Sequence, residues 1–149
     1  MFDYNRMRSI LENEFTPCGQ VTLEALTPSI VQKFQMAGIP VATKSDSIKS
    51  GLLAKDPCVV VYNPQNLNYH TIVLVIRTIN TGRVISVYSA GSAAGQHIGG
   101  GILNVEHQSN KLKGMLKSSK QKEAEEDEYN SRAFGCIFSA LASHGIYAR

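Results

Sequence analysis

The chain has 149 residues, of which 43% are hydrophobic, and its formal net charge is +3. This length suits one domain with a single core, residues 1–149, and the composition is that of a globular rather than a disordered protein. No apolar run reaches the roughly 18 to 20 residues of a membrane-spanning helix, and the polar start MFDYNRMRS is unlike a signal peptide. We therefore expect a cytoplasmic protein with no membrane partner.

The cysteines and histidines argue against metal chemistry. Cys18, Cys58 and Cys136 are odd in number, lie far apart and form no CxxC pair. Zinc sites and disulfide frameworks both need paired cysteines. The histidines show no HxxxH or HExxH spacing either. We expect no metal, no other cofactor and no catalytic residues.

The beginning of the chain predicts a helix followed by a strand. Asp3 is placed to cap a helix that continues to residue 15, because Phe2 and Met7 have the spacing of a hydrophobic staple. Residues 21–25 then alternate apolar and polar side chains, which is typical of a half-buried strand.

Two short helices are predicted next. The helix over 28–38 follows a threonine–proline pair and ends at Gly38, a common helix stop. The helix over 46–54 has Leu52 and Leu53 at positions that would face the core.

A three-stranded antiparallel meander is predicted in the middle of the chain. Its second and third strands are joined by the turn residues Asn80-Thr81-Gly82. The apolar runs are too continuous for strands with one face in water, so we expect central strands. The three strands cover 58–62, 70–79 and 83–89.

The glycine-rich stretch SAGSAAGQHIGGG follows the meander directly. It lacks both the GxxxxGK[ST] and the GxGxxG spacing of phosphate-binding loops, so we interpret it mainly as a pliable connection. With the lysines after it, it forms a flexible insertion at about 90–122. The alternative is a small-molecule or nucleotide site formed by Gly95, Gln96, His97, Gly99, Gly100 and Gly101.

A lysine-rich segment precedes an acidic run, EAEEDE, that marks the first turn of the last helix. That helix ends near His144, and Gly145-Ile146 looks like its cap. The lysines either form a solvated connection or contact phosphates. Two arginines beside the hairpin turn would extend this basic surface if they lie on the same face of the sheet. The candidate nucleic-acid-binding residues are Arg77, Arg83, Lys111, Lys113, Lys117, Lys120 and Lys122.

The order strand, two helices, meander, long helix resembles one half-repeat of the TATA-binding-protein fold. The likeness implies an α+β fold in which a curved antiparallel sheet of about four strands is backed by helices. It also implies DNA binding by a homodimer, since only one repeat is present, with Ile76 or Tyr88 as the wedge that replaces the family's phenylalanines. The residues that carry it are Asn63-Pro64, Thr71-Ile-Val-Leu-Val, the turn Asn80-Thr-Gly-Arg83, Val84-Ile-Ser-Val, Ser89-Ala-Gly-Ser92 and the segment 133–146.

The sequence as a whole favours a non-enzymatic binding module that self-associates and engages a macromolecule, with nucleic acid ahead of protein. A small-molecule or nucleotide-binding protein that uses the glycine-rich loop is the second hypothesis. A structural or inhibitory protein-interaction protein is the third.

Overall fold

A computed structural model describes residues 2–96 and 119–148. Within these ranges the chain has the predicted α+β class, with two helices and a curled seven-stranded sheet. The sheet is larger than the four strands expected, and it is mixed because β1 runs parallel to β4. The elements are β1 (Phe2–Asp3), β2 (Arg8–Ser9), β3 (Thr16–Pro17), α1 (Leu23–Met36), β4 (Ala42–Lys49), β5 (Lys55–Tyr62), β6 (His70–Ile79), β7 (Gly82–Ser92) and α2 (Ser119–Ser143).

The predicted meander is confirmed and forms the centre of the sheet. The strand order is β1-β4-β5-β6-β7-β2, and β3 also pairs with β7. Ile79 pairs with Gly82 across the Asn80-Thr81 turn, and Gly82 has a φ of 124°, a value that favours glycine. The turn residues therefore closed the hairpin as the sequence indicated.

The predicted N-terminal helix is wrong. Asp3 does cap a turn, since its carboxylate accepts the Asn5 amide, but the turn is a 3-10 helix of three residues, Tyr4–Arg6. The segment on either side joins the sheet: Phe2 pairs with Ile48 on β4, and Arg8 pairs with Ser89 on β7. Pairing with distant strands has overridden a local helical pattern.

The strand predicted at 21–25 is also wrong, because that stretch starts helix α1. Thr22 is the N-cap, and its hydroxyl accepts the Ala25 amide at 3.2 Å. The earlier start adds Leu26 to a buried stripe that continues through Ile30 and Phe34 at helical spacing.

The helix predicted at 46–54 is a strand and a turn. Residues 42–49 pair with β5 along their whole length, a partner that local spacing does not reveal. Leu52 and Leu53, expected in the core, are 91% and 95% exposed in the turn that follows.

The two helices pack antiparallel on one face of the sheet. Halfway along α1, Ser29 contacts His144, which follows the end of α2. After the end of α1, the Ala37 carbonyl accepts from Arg132 in the middle of α2, so the two helices run in opposite directions. Both predicted glycine caps are confirmed: Gly38 and Gly145 have φ values of 71° and 76°. In the described ranges no helix is long and apolar enough to cross a membrane.

Both faces of the central strands are buried. On the helix face, apolar side chains such as Val61, Ile72 and Leu74 pack against α1 and α2. On the opposite inner face, Val60 and Val73 pack with the N-terminal segment. The central strands therefore present no uncovered sheet face, which explains why their sequences lack polar alternation.

The sheet has two chemically different ends. The hairpin end carries the turns at 50–54 and 80–81, because β5 starts beside the end of β6. The opposite end is termed the groove end because it holds a polar groove. It carries the start of β6 at His70 and the end of β7 at Ser92. The N-terminal segment crosses the inner face from one end to the other.

Candidate functional site

The structure does not bring together the four predicted basic residues that lie in the described ranges. Arg77 and Arg83 lie at the hairpin end, where their register partners, Val84 and Thr78, place them on opposite faces of the sheet. Lys120 and Lys122 are exposed on the first turns of α2 at the groove end. A ten-residue strand, β6, separates the two ends, which is roughly 30 Å. Lys111, Lys113 and Lys117 lie outside the described residues.

Arg77 is partly buried, and its guanidinium is held in an aromatic cluster. Its guanidinium carbon lies 4.7 Å from the Tyr4 ring centre and 4.9 Å from that of Phe15. Its Nη2 donates to the Tyr88 hydroxyl at 3.3 Å, and that hydroxyl donates to Glu14 at 2.6 Å. Burial, reinforced by the bond to Glu14, raises the pKa of Tyr88 to about 12. Tyr88 is therefore a neutral, buried link in this cluster.

Of the two residues considered as DNA wedges, Tyr88 is buried and Ile76 is partly buried. Tyr88 is 3% exposed and lies in the inner core. Ile76 packs against the core under the helices. Neither side chain extends from the sheet surface.

The described part of the glycine-rich stretch is a strand end and a turn. Gly91 belongs to β7, and the Gly95 and Gln96 amides donate to the hydroxyl and carbonyl of Ser92. These two amides are thus occupied within the turn. His97, Gly99, Gly100 and Gly101 lie outside the described residues. The insertion proposed at 90–122 starts within β7 and ends within α2.

A polar groove of about 670 Å³ lies at the groove end. One wall is the N-terminal segment with Arg6 and Arg8, and the other is the first turns of α2 with Glu123 and Asp127. His70 lies at the base, beside the end of β7. The prediction that the acidic run marks the first turn of the last helix is wrong, because α2 is described from Ser119 and has no acid in its first turn. Three acids of the run line this groove instead.

His70 is fixed at the base of the groove by Glu126. Its Nδ1 lies 2.5 Å from the Glu126 Oε1, and the same oxygen accepts the His70 backbone amide at 3.2 Å. A carboxylate only accepts, so Nδ1 carries a proton, and Nε2 is the ring nitrogen that is left for another partner. The sequence gives no sign of this pair, because Glu126 lies 56 positions after His70.

A β-bulge turns the end of β7 beside His70. Ile72 pairs with Ser89 and His70 with Ser92, so two residues of β7 lie opposite Thr71. The Thr71 hydroxyl donates to the Gly91 carbonyl at 3.0 Å and stabilises the irregularity. Bulges of this kind often redirect side chains next to functional sites.

The charges across the groove are not paired with each other. Arg6, Arg8, Glu123 and Asp127 are all exposed. Within residues 2–96 and 119–148 none of the four makes an ion pair or a side-chain hydrogen bond. A cationic wall thus faces an anionic wall with an oriented imidazole between them.

The described residues contain no group of three or more side chains that could hold a metal ion. The three cysteines are free and buried, as expected for core residues. Burial raises the pKa of Cys58 to about 12, which keeps its thiol protonated and unreactive at neutral pH.

No protein-family model, curated protein or solved structure matches the chain.

Proposed function

We propose that the protein binds a small molecule carrying both an anionic and a cationic group, such as an amino acid or a short peptide, in the groove. The observation that carries this proposal is the pair of opposed, unpaired walls on either side of His70. Arg6 and Arg8 suit a carboxylate or phosphate, since guanidinium donors match those oxygens. Glu123 and Asp127 suit an ammonium group.

His70 supplies orientation within such a site. Because Glu126 holds Nδ1, the direction of the ring is fixed and Nε2 is the nitrogen that can contact a ligand. The groove volume of about 670 Å³ lies in the range of ligand pockets. The proposal concerns binding, and it does not require His70 to transfer a proton.

A thermal-shift screen sorted by charge tests this function. The probes are free amino acids and dipeptides, dicarboxylates and inorganic phosphate, and polyamines. A zwitterion present at a hundred times its Kd should stabilise the fold by about 2.7 kcal/mol, a rise in Tm of about 5 °C or more. Arg8→Ala and Glu123→Gln should each abolish the shift. A rise in Tm with a simple anion that equals the rise with a zwitterion would contradict the proposal. Absence of a shift with every probe would contradict it as well.

Nucleic acid is the second candidate. Lys120 and Lys122 are exposed and adjoin the predicted lysine-rich segment. DNA recognition of the TATA-binding-protein kind, and the homodimer it requires, stay predictions; light scattering tests the dimer. In a retardation assay, affinity should fall with log salt at a slope of about 0.9 for each phosphate contact. Lys120→Gln/Lys122→Gln should lower that slope, and no retardation at low salt would reject this candidate.

A further inference from the structure

The turn between β4 and β5 exposes two adjacent leucines almost completely. Leu52 is 91% and Leu53 is 95% exposed, in the sequence KSGLLAK. Single exposed apolar residues are common on protein surfaces. Two adjacent exposed leucines in one turn instead form a continuous apolar patch. Neither residue contributes to the core, so packing gives no reason for leucine at these positions.

Other exposed apolar side chains lie at the same end of the sheet. Phe15, 39% exposed, stacks on Arg77, and Ile79, 38% exposed, adjoins the neighbouring hairpin turn. Of the six large hydrophobic side chains that are exposed in the described ranges, four are therefore at the hairpin end. Of the other two, Met36 is the last residue of α1 and Tyr147 follows α2.

The base of the leucine turn is basic. Lys49 and Lys55 are register partners on β4 and β5, so the two exposed ammonium groups flank the turn at the same height. Two acids lie nearby and keep their charge: the Asp56 carboxylate accepts from the Tyr4 hydroxyl, and the Asp3 carboxylate accepts the Asn5 amide. Lys49, Lys55 and Arg77 outnumber them.

A cleft of about 440 Å³ opens beside this turn. Lys49 and Arg77 line it together with the turn residues Ser50 and Gly51, and Asp3 also borders it. Two cations and one carboxylate leave a positive balance where an anionic group could enter.

We infer that the hairpin end docks on an anionic membrane surface, with Leu52 and Leu53 immersed among the lipids and Lys49 and Lys55 at the headgroups. A bilayer interface accepts a projecting apolar tip of any shape. A stable protein partner needs about 800 Å² of complementary surface on each side, far more than the tip of one turn offers. The expectation of no membrane partner came from the lack of a spanning segment, which surface docking does not require.

The attachment is weak and reversible. Each lysine near an anionic surface raises the affinity roughly fivefold, and each leucine side chain that leaves water adds roughly tenfold or more. Two of each give binding comparable to that of a single acyl chain, which associates with membranes only marginally. The full chain is thus recruited by anionic lipid rather than anchored.

Vesicle co-sedimentation of the full chain tests the inference. The probes are vesicles of phosphatidylcholine alone and vesicles in which part of it is replaced by phosphatidylserine. We expect binding to the mixed vesicles at low salt, with a marked loss at high salt. L52A/L53A should bind at least roughly tenfold more weakly, and Lys49→Gln/Lys55→Gln should lose the preference for phosphatidylserine.

The matched control is Met36→Ala, which removes an exposed apolar side chain away from the hairpin end and should bind like the wild type. Thermal unfolding should be unchanged in L52A/L53A, since neither leucine is buried. Light scattering is run beside the vesicle assay. Absence of binding at low salt, binding unaffected by L52A/L53A, or a wild-type oligomer that L52A/L53A dissociates would each overturn the inference; the last would identify a second copy as the occupant.

Discussion

His70 and Glu126 are joined by two hydrogen bonds to a single carboxylate oxygen, although they lie 56 positions apart in the chain. The pair ties the start of β6 to the first turns of α2 at the base of the groove. Because both side chains are partly exposed, the pair contributes little to stability, about 1 kcal/mol or less. Its main effect is on the direction of the imidazole.

A pair of His70 substitutions separates orientation from ligand contact. His70→Asn places an amide donor where Nδ1 was and should keep the bond to Glu126, but it removes the polar group at the position of Nε2. His70→Gln should lose the bond to Glu126 but keep a polar group near the position of Nε2. We expect both variants to unfold within about 1 kcal/mol of the wild type and both to lose the zwitterion-induced rise in Tm. A full shift in His70→Asn would show that Nε2 does not touch the ligand.

Phe34→Ala should destabilise the fold by about 3–5 kcal/mol, because the side chain is fully buried between α1 and the sheet and leaves a cavity. Met36→Ala, two positions along the same helix and 73% exposed, is the control and should change stability by less than about 0.5 kcal/mol. Urea unfolding at neutral pH measures both. Similar values for the two variants would contradict the assignment of the core face of α1.

Two glycines near the end of the chain should respond to alanine in opposite directions. Gly145 has a φ of 76°, where an alanine is strained by about 1–2 kcal/mol, so Gly145→Ala should destabilise the fold. Gly135 lies exposed inside α2 with open space around it. Gly135→Ala should stabilise by up to about 1 kcal/mol. Thermal unfolding distinguishes the two signs.

Stability should fall in alkaline solution, and Tyr88 should account for part of the loss. Its pKa is raised from 10.0 to about 12, so between these values the folded state keeps a proton that the unfolded chain releases. Stability from this group is complete below pH 10 and is lost as pH rises towards 12, at about 1.4 kcal/mol per pH unit. Urea titrations of Tyr88→Phe should show a shallower alkaline slope than the wild type, and equal slopes would contradict the burial of this hydroxyl.

The parts of the fold that depend on local chemistry could be predicted from the sequence. The Asn80-Thr81 turn, the apolar strands beside it and the glycine cap at 145 all follow from residues close in the chain. The helix stop at Gly38 was found for the same reason.

The errors arose where a distant strand decides the conformation. Residues 46–49 have a helical pattern but pair with β5, and Asp3 begins only one turn because Phe2 and Arg8 are held by β4 and β7. The groove was missed for the same reason, since His70 and Glu126 meet only after β6 and α2 have packed. An acidic run that lies beyond the first turn of a helix and lines a cavity looks the same in sequence as one that offsets the helix dipole.

The crossing of the inner face by the N-terminal segment has a consequence for synthesis. Phe2 has no partner until Ile48 has been made, and Arg8 none until Ser89 has followed. Residues 2–9 are therefore made well before the strands with which they pair. Contacts of such long sequence separation slow folding, so this protein should complete its inner core late, when residues 2–9 pair with β4 and β7.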